Sequence, residues 1–171
     1  MGGPRPFPYT GDLLPGGEEA LALAAAGIPF EVVPGVSSAL AAPLLAGIPV
    51  THRGIASAFT VLSGHSEEAW APVVRAVALG SMTLFALMGL GARSRIAGAL
   101  LSRGWAPKTP AAILLGAGTS DASAWFGDLR GLAGAPVGKP SAPGTLCIGP
   151  VVELAGAIGG RRAAAAVAAL P

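Results

Sequence analysis

A single cysteine, Cys147, occurs in the 171 residues, so no disulfide framework can form within the chain and the fold must rest on a packed apolar core. Its run Gly144-Thr145-Leu146-Cys147-Ile148-Gly149 reads as a short strand, which implies a buried, inert thiol. Histidine is almost as scarce. His52 and His65 are the only two, and neither has Cys or His neighbours at metal-ligand spacing, so no metal site is expected. Charged residues make up 12%, about half the share of roughly 25% usual for soluble domains, so some apolar surface should face a partner or a sister subunit. The 11 basic residues are dispersed and the formal net charge is +2, which leaves no tract able to grip a phosphate backbone; no nucleic-acid partner is expected. Apolar runs such as Ala20 to Pro29 and Ala39 to Ile48 fall far short of the roughly 20 residues that cross a bilayer, so no membrane partner is expected either. The N-terminus lacks the charged start and apolar run of a secretory signal, and Pro6 stands where myristoylation needs Ser or Thr. A reducing cytoplasm is the default expectation. Also missing are a nucleophile elbow, a P-loop and a dinucleotide fingerprint at a strand-to-helix junction.

What is present is apolar material in alternating short runs. The 52% apolar content is ample for a core, and the length suits one domain or two small ones. The Gly- and Pro-rich first seventeen residues predict a loop. Helices are predicted over Glu18 to Ala26, Val36 to Ala46 behind a Ser37 or Ser38 cap, Glu67 to Leu79 behind Ser66, Ala92 to Ser102, and Val151 to Ile158. Strands are predicted at Ile28 to Val33 (fully buried), Phe59 to Leu62, Met82 to Leu87, Ala112 to Leu115 and Leu146 to Ile148, with Ser123 to Phe126 as an edge strand. This alternation predicts an α/β fold with a mostly parallel sheet and helices on both faces. The expected organisation is an irregular lead over 1–17, one α/β domain over 18–159 and an Ala-rich tail over 160–171.

In such sheets ligands bind outside the carboxyl ends of the strands. Four glycine-bearing loops fall there: Pro34-Gly35-Val36-Ser37-Ser38, Ser63-Gly64-His65, Met88-Gly89-Leu90-Gly91 and Gly116-Ala117-Gly118-Thr119. Small residues let a ligand approach the backbone. A second cluster, Thr51-His52-Arg53, sets three polar side chains in one loop. Acids and bases are sparse, which suits a reaction that depends on positioning two ligands.

The segment from Gly16-Gly17-Glu18-Glu19 through Gly27-Ile28-Pro29-Phe30-Glu31-Val32-Val33-Pro34-Gly35-Val36-Ser37-Ser38-Ala39 resembles the uroporphyrinogen-III C-methyltransferases of the tetrapyrrole methylase family. Gly47-Ile48-Pro49-Val50-Thr51-His52-Arg53-Gly54, Thr60-Val61-Leu62-Ser63-Gly64-His65 and Leu87-Met88-Gly89-Leu90 follow in that family's order, and a looser likeness runs to about residue 159. The resemblance implies S-adenosylmethionine as methyl donor and methylation of uroporphyrinogen III at C2 and C7, giving precorrin-2 for sirohaem and cobalamin. It implies a donor pocket of Pro34, Gly35, Ser37, Ser38, Met88, Ala112, Gly144 and Thr145. It also implies that Thr51, His52 and Arg53 bind the substrate's carboxylates, that Arg53 acts as their clamp, and that Glu18 is an acid near the reacting pyrrole.

Relative to that family, Pro15 stands at the catalytic arginine position, and the N-terminal domain with its Gly-x-Gly-Pro-Gly-Asp loop is absent. The expectation is therefore a methyltransferase working as a homodimer or completed by a chain that carries the N-terminal domain. The alternatives are a misplaced gene start or a noncatalytic α/β remnant or interaction module of the same family.

Overall fold

The computed structural model of the chain describes residues 7–11, 17–137 and 142–158. The Ala-rich tail lies outside them. Internal contacts divide the chain into two compact units, Met1–Ser37 and Ser38–Pro171.

In the first unit, β1 (Phe7–Gly11) pairs in parallel with β2 (Phe30–Pro34), and α1 (Gly17–Ala25) connects them. The expected N-terminal loop thus contains a strand. Pro8 does not prevent it, because both strands of a two-stranded sheet are edges, where a missing N–H is tolerated. The strand expected at Ile28 to Val33 starts at Phe30 and is not fully buried: Val32 is 56% and Val33 41% exposed. So small a sheet has too few layers to cover a strand on both faces. Gly27 ends α1 with a left-handed φ of 66°.

In the second unit, α2 (Ser38–Leu45) is followed by β3 (Ala58–Ser63), α3 (Glu67–Ala76), β4 (Met82–Leu87) and α4 (Arg93–Ser102). Next come β5 (Pro110–Leu115), β6 (Ser123–Asp128), the short α5 (Leu129–Leu132), β7 (Gly144–Ile148), a 3₁₀ turn (Pro150–Leu154) and α6 (Ala155–Ile158). Ser66 is the N-cap residue of α3, although its side chain makes no capping bond to the backbone. The Glu68 carboxyl is held below its ordinary value by its own backbone N–H and then by the Ser66 hydroxyl. The predicted continuous helix over Val151 to Ile158 is instead a 3₁₀ turn running into one α-turn.

The five strands lie in the order β3-β4-β7-β5-β6, with β6 at an edge. The α/β class stands, but pairing in this sheet is mixed rather than mostly parallel. Only β3 and β4 are parallel neighbours; β7 inserts antiparallel between β4 and β5, and β6 pairs antiparallel with β5. Alternating strand and helix composition reveals which segments are strands, whereas the order of insertion depends on long-range pairing.

Side chains alternate between two cores. Leu62, Leu84, Ala86, Ile113, Leu146 and Ile148 pack with Trp70, Val74, Ile96 and Leu100 of α3 and α4 on one face. On the other, Phe85, Ala112, Leu114 and Cys147 pack with Ala42 and Ala46 of the α2 segment and with Val151, Val152 and Ala155. Period-two patterning thus serves both layers.

Candidate functional site at the sheet rim

β3, β4 and β5 run in one direction, so their carboxyl ends share a rim with the starts of the opposed strands β6 and β7. The register fixes which residues meet there. Thr145 lies opposite Leu87 on one side and Leu114 on the other, and Gly144 lies opposite Leu115. The N–H of Gly64 donates to the Leu87 carbonyl at 2.7 Å, and that of Gly116 to the Pro143 carbonyl at 2.9 Å, so the loops are tied to one another.

Two features mark this rim. Met88, directly after β4, has φ 54°, the one left-handed non-glycine backbone among the described residues, and it is 50% exposed. Such a conformation costs on the order of 1–3 kcal/mol and persists only where its surroundings enforce it. Second, a cavity of about 370 Å³ opens where the α2 segment meets the β5–β6 connection. Ala42, Leu45, Ala46 and Leu114 give it apolar walls, and Thr119, Ser120 and Ser123 add hydroxyls. The Thr119 hydroxyl donates to the Gly116 carbonyl at 2.7 Å and holds the loop in shape. The volume falls within the range of small-molecule sites, roughly 300–1,000 Å³.

The chain matches the family Tetrapyrrole (Corrin/Porphyrin) Methylases over residues 14–133. The chain belongs to this family. It is 40% identical over 152 residues to the S-adenosyl-L-methionine-dependent uroporphyrinogen III methyltransferase of Methanosarcina barkeri, an alignment covering 86% of this chain and 59% of that protein. Among solved structures, the uroporphyrin-III C-methyltransferase of Thermus thermophilus superposes with TM-score 0.69 at 43% identity, covering 83% of this chain and 60% of the other. A second structure of the Thermus thermophilus enzyme, complexed with S-adenyl homocysteine, superposes with TM-score 0.67 at 36% identity over 81% of this chain and 60% of that one. The chain therefore spans about three-fifths of the length of these relatives.

In this tetrapyrrole methylase chain, the rim brings together three residues singled out from the sequence, Met88, Gly144 and Thr145. Thr145 is 3% exposed. At Gly144 a Cβ would lie 2.7 Å from a Leu90 methyl and 2.9 Å from a Leu115 methyl, so a larger residue there requires those two leucine side chains to move. Ser38 opens α2 and is exposed. Ala112 is not at the rim. It sits further along β5, opposite Cys147, fully buried beneath the second core, because its place in the alternation turns it toward the α2 face. Thr51, His52 and Arg53 do share one exposed turn, closed by the His52 N–H on the Ala56 carbonyl at 2.9 Å and by a left-handed Gly54. In that turn His52 Nδ1 lies 2.8 Å from the Arg53 carbonyl oxygen, and the apolar Val50, Ile55 and Ala56 seat the loop on the second core. Pro34 ends β2 and Gly35 and Ser37 follow it in the first unit, where Glu18 lies exposed in the first turn of α1.

Sequence reading missed Leu45, Ala46 and Ser123 as cavity residues. The glycines of the β5–β6 loop flagged one wall. Nothing local to α2 announces that it supplies the other. Among the described residues no group of three His, Cys, Asp or Glu side chains could hold a metal, and no helix is long and apolar enough to cross a membrane.

Proposed function

We propose that this chain carries part of an S-adenosylmethionine-dependent C-methyltransferase that converts uroporphyrinogen III to precorrin-2. What supports the reading is a left-handed Met88 standing on the same rim as an apolar, hydroxyl-edged cavity, in a chain 40% identical to a uroporphyrinogen III methyltransferase. The cavity suits a nucleoside thioether in our reading: its apolar walls would take a purine, and its hydroxyls ribose or amino-acid polar groups. Met88 and Thr145 would contact the donor, with Gly144 leaving room for it. When bound, the donor supplies an electrophilic methyl group.

The chain's own part is positioning. Rim residues fix the donor, and Arg53, on an exposed turn with its guanidinium unbonded among the described residues, recognises a propionate or acetate of the macrocycle. Full turnover draws on the remaining two-fifths of the relatives' length, supplied in the same polypeptide or by a second one, with a homodimer as the working assembly. A noncatalytic family module is the second reading, favoured by Pro15 at the position of the family's arginine.

Titration with S-adenosylhomocysteine together with transfer of labelled methyl from the donor to uroporphyrinogen III tests both. Heat of binding with Kd below roughly 1 mM and labelled product support the enzyme. Binding without transfer, even with a complementing N-terminal domain, supports the noncatalytic module.

A further inference from the structure

Behind Met88 two glycines lie against each other. Gly64, at the end of β3, is buried, and a Cβ built on it would stand 2.9 Å from the Gly89 nitrogen, closer still to the Gly89 Cα, and 3.3 Å from the Leu87 carbonyl oxygen. All three neighbours are backbone atoms, so no side-chain rotation can relieve the contact. Gly64 has no left-handed φ of its own; what requires glycine is this close approach. The same residue donates its N–H to the Leu87 carbonyl at 2.7 Å. Residues 87 and 89 are therefore held from one side by Gly64, and the residue between them is the strained Met88.

We infer that Gly64 is a positioning residue: by lying directly on Gly89 and bonding Leu87, it locks Met88 in the left-handed conformation that presents its side chain at the rim. The inference rests on the donor-binding reading above. A methyl group at position 64 pushes the 87–89 segment away, and the cheapest relaxation returns Met88 to an ordinary negative φ. Its side chain then leaves the rim, although it sits on a different strand end from the substituted residue.

The test is a double-mutant cycle on the full-length chain, with Gly64→Ala, Met88→Ala and both together, read by titration with S-adenosylhomocysteine and by thermal melting. The expected result is a loss of affinity of tenfold or more for Gly64→Ala in the otherwise natural protein and less than twofold in the Met88→Ala background, with the same lowering of the melting midpoint in both. A purely structural Gly64 would weaken binding by equal factors in both backgrounds, and that result overturns the inference. So does unchanged affinity in a folded Gly64→Ala protein. If Gly64→Ala fails to fold, Gly89→Ala replaces it. Its methyl would meet a Leu146 methyl, which can rotate away, and the Ala86 Cβ, which has to yield a few tenths of an ångström with its backbone, both at 3.1 Å; the same contrast between backgrounds decides. Absence of binding by the unsubstituted protein overturns the donor reading itself, a result separable from equal losses across the cycle.

Discussion

Leu114 is at once a wall of the 370 Å³ cavity and the register partner of Thr145, so the strand pair β5–β7 joins the cavity to the rim that carries Met88. Thr145 is 3% exposed, with its hydroxyl on the face shared by Leu114 and Leu87. Thr145→Val keeps the shape and deletes the hydroxyl. If that hydroxyl serves the donor, S-adenosylhomocysteine binding weakens by roughly fivefold to tenfold, about 1 kcal/mol, while stability changes by less. Unchanged affinity in titration would remove Thr145 from the donor site.

Ala117 lines the cavity from an exposed position, so a large side chain there blocks the mouth without disturbing either core. Ala117→Trp is expected to lower donor affinity tenfold or more with an unaltered melting midpoint. Retained affinity would place the ligand elsewhere.

Arg53 stands on an exposed turn. Its replacement by alanine should raise KM for uroporphyrinogen roughly tenfold, the worth of one charge-assisted bond, and leave the Kd for S-adenosylhomocysteine within twofold. Equal weakening of both in a folded variant would refute a role confined to the substrate.

Burial pushes the Cys147 thiol well above its ordinary range, so the folded protein keeps it protonated. The unfolded chain ionises near pH 8.5. Native stability from this group is therefore complete below that pH and declines above it, by at most about 1.4 kcal/mol per pH unit. Melting midpoints measured from pH 8 to 10.5 should fall more steeply for the natural protein than for Cys147→Ala. Parallel curves would show that the thiol ionises in the folded state.

Much of the fold was legible because its signals are local. Met82 to Leu87 reads as a strand with the boundaries it has, since an apolar run of this length between Gly80 and Gly89 is too short for a typical helix and suits a buried strand. Ser123 to Phe126 was readable as an edge strand, and its half-buried pattern agrees. The strand at Phe7–Gly11 was not legible, because Pro8 and Gly11 signal a turn until a parallel partner satisfies its backbone.

By itself the sequence determined the alternation of strand and helix, the glycine-bearing strand ends and the membership of a methylase family, all of which rest on neighbouring residues and collinear motifs. Only tertiary structure decided that β7 inserts antiparallel between β4 and β5, that Ala112 turns into the core while Thr145 reaches the rim, and that Gly64 presses on Gly89. Those outcomes depend on pairing register and on contacts between residues far apart in the chain, where a shift of one position would exchange core for surface.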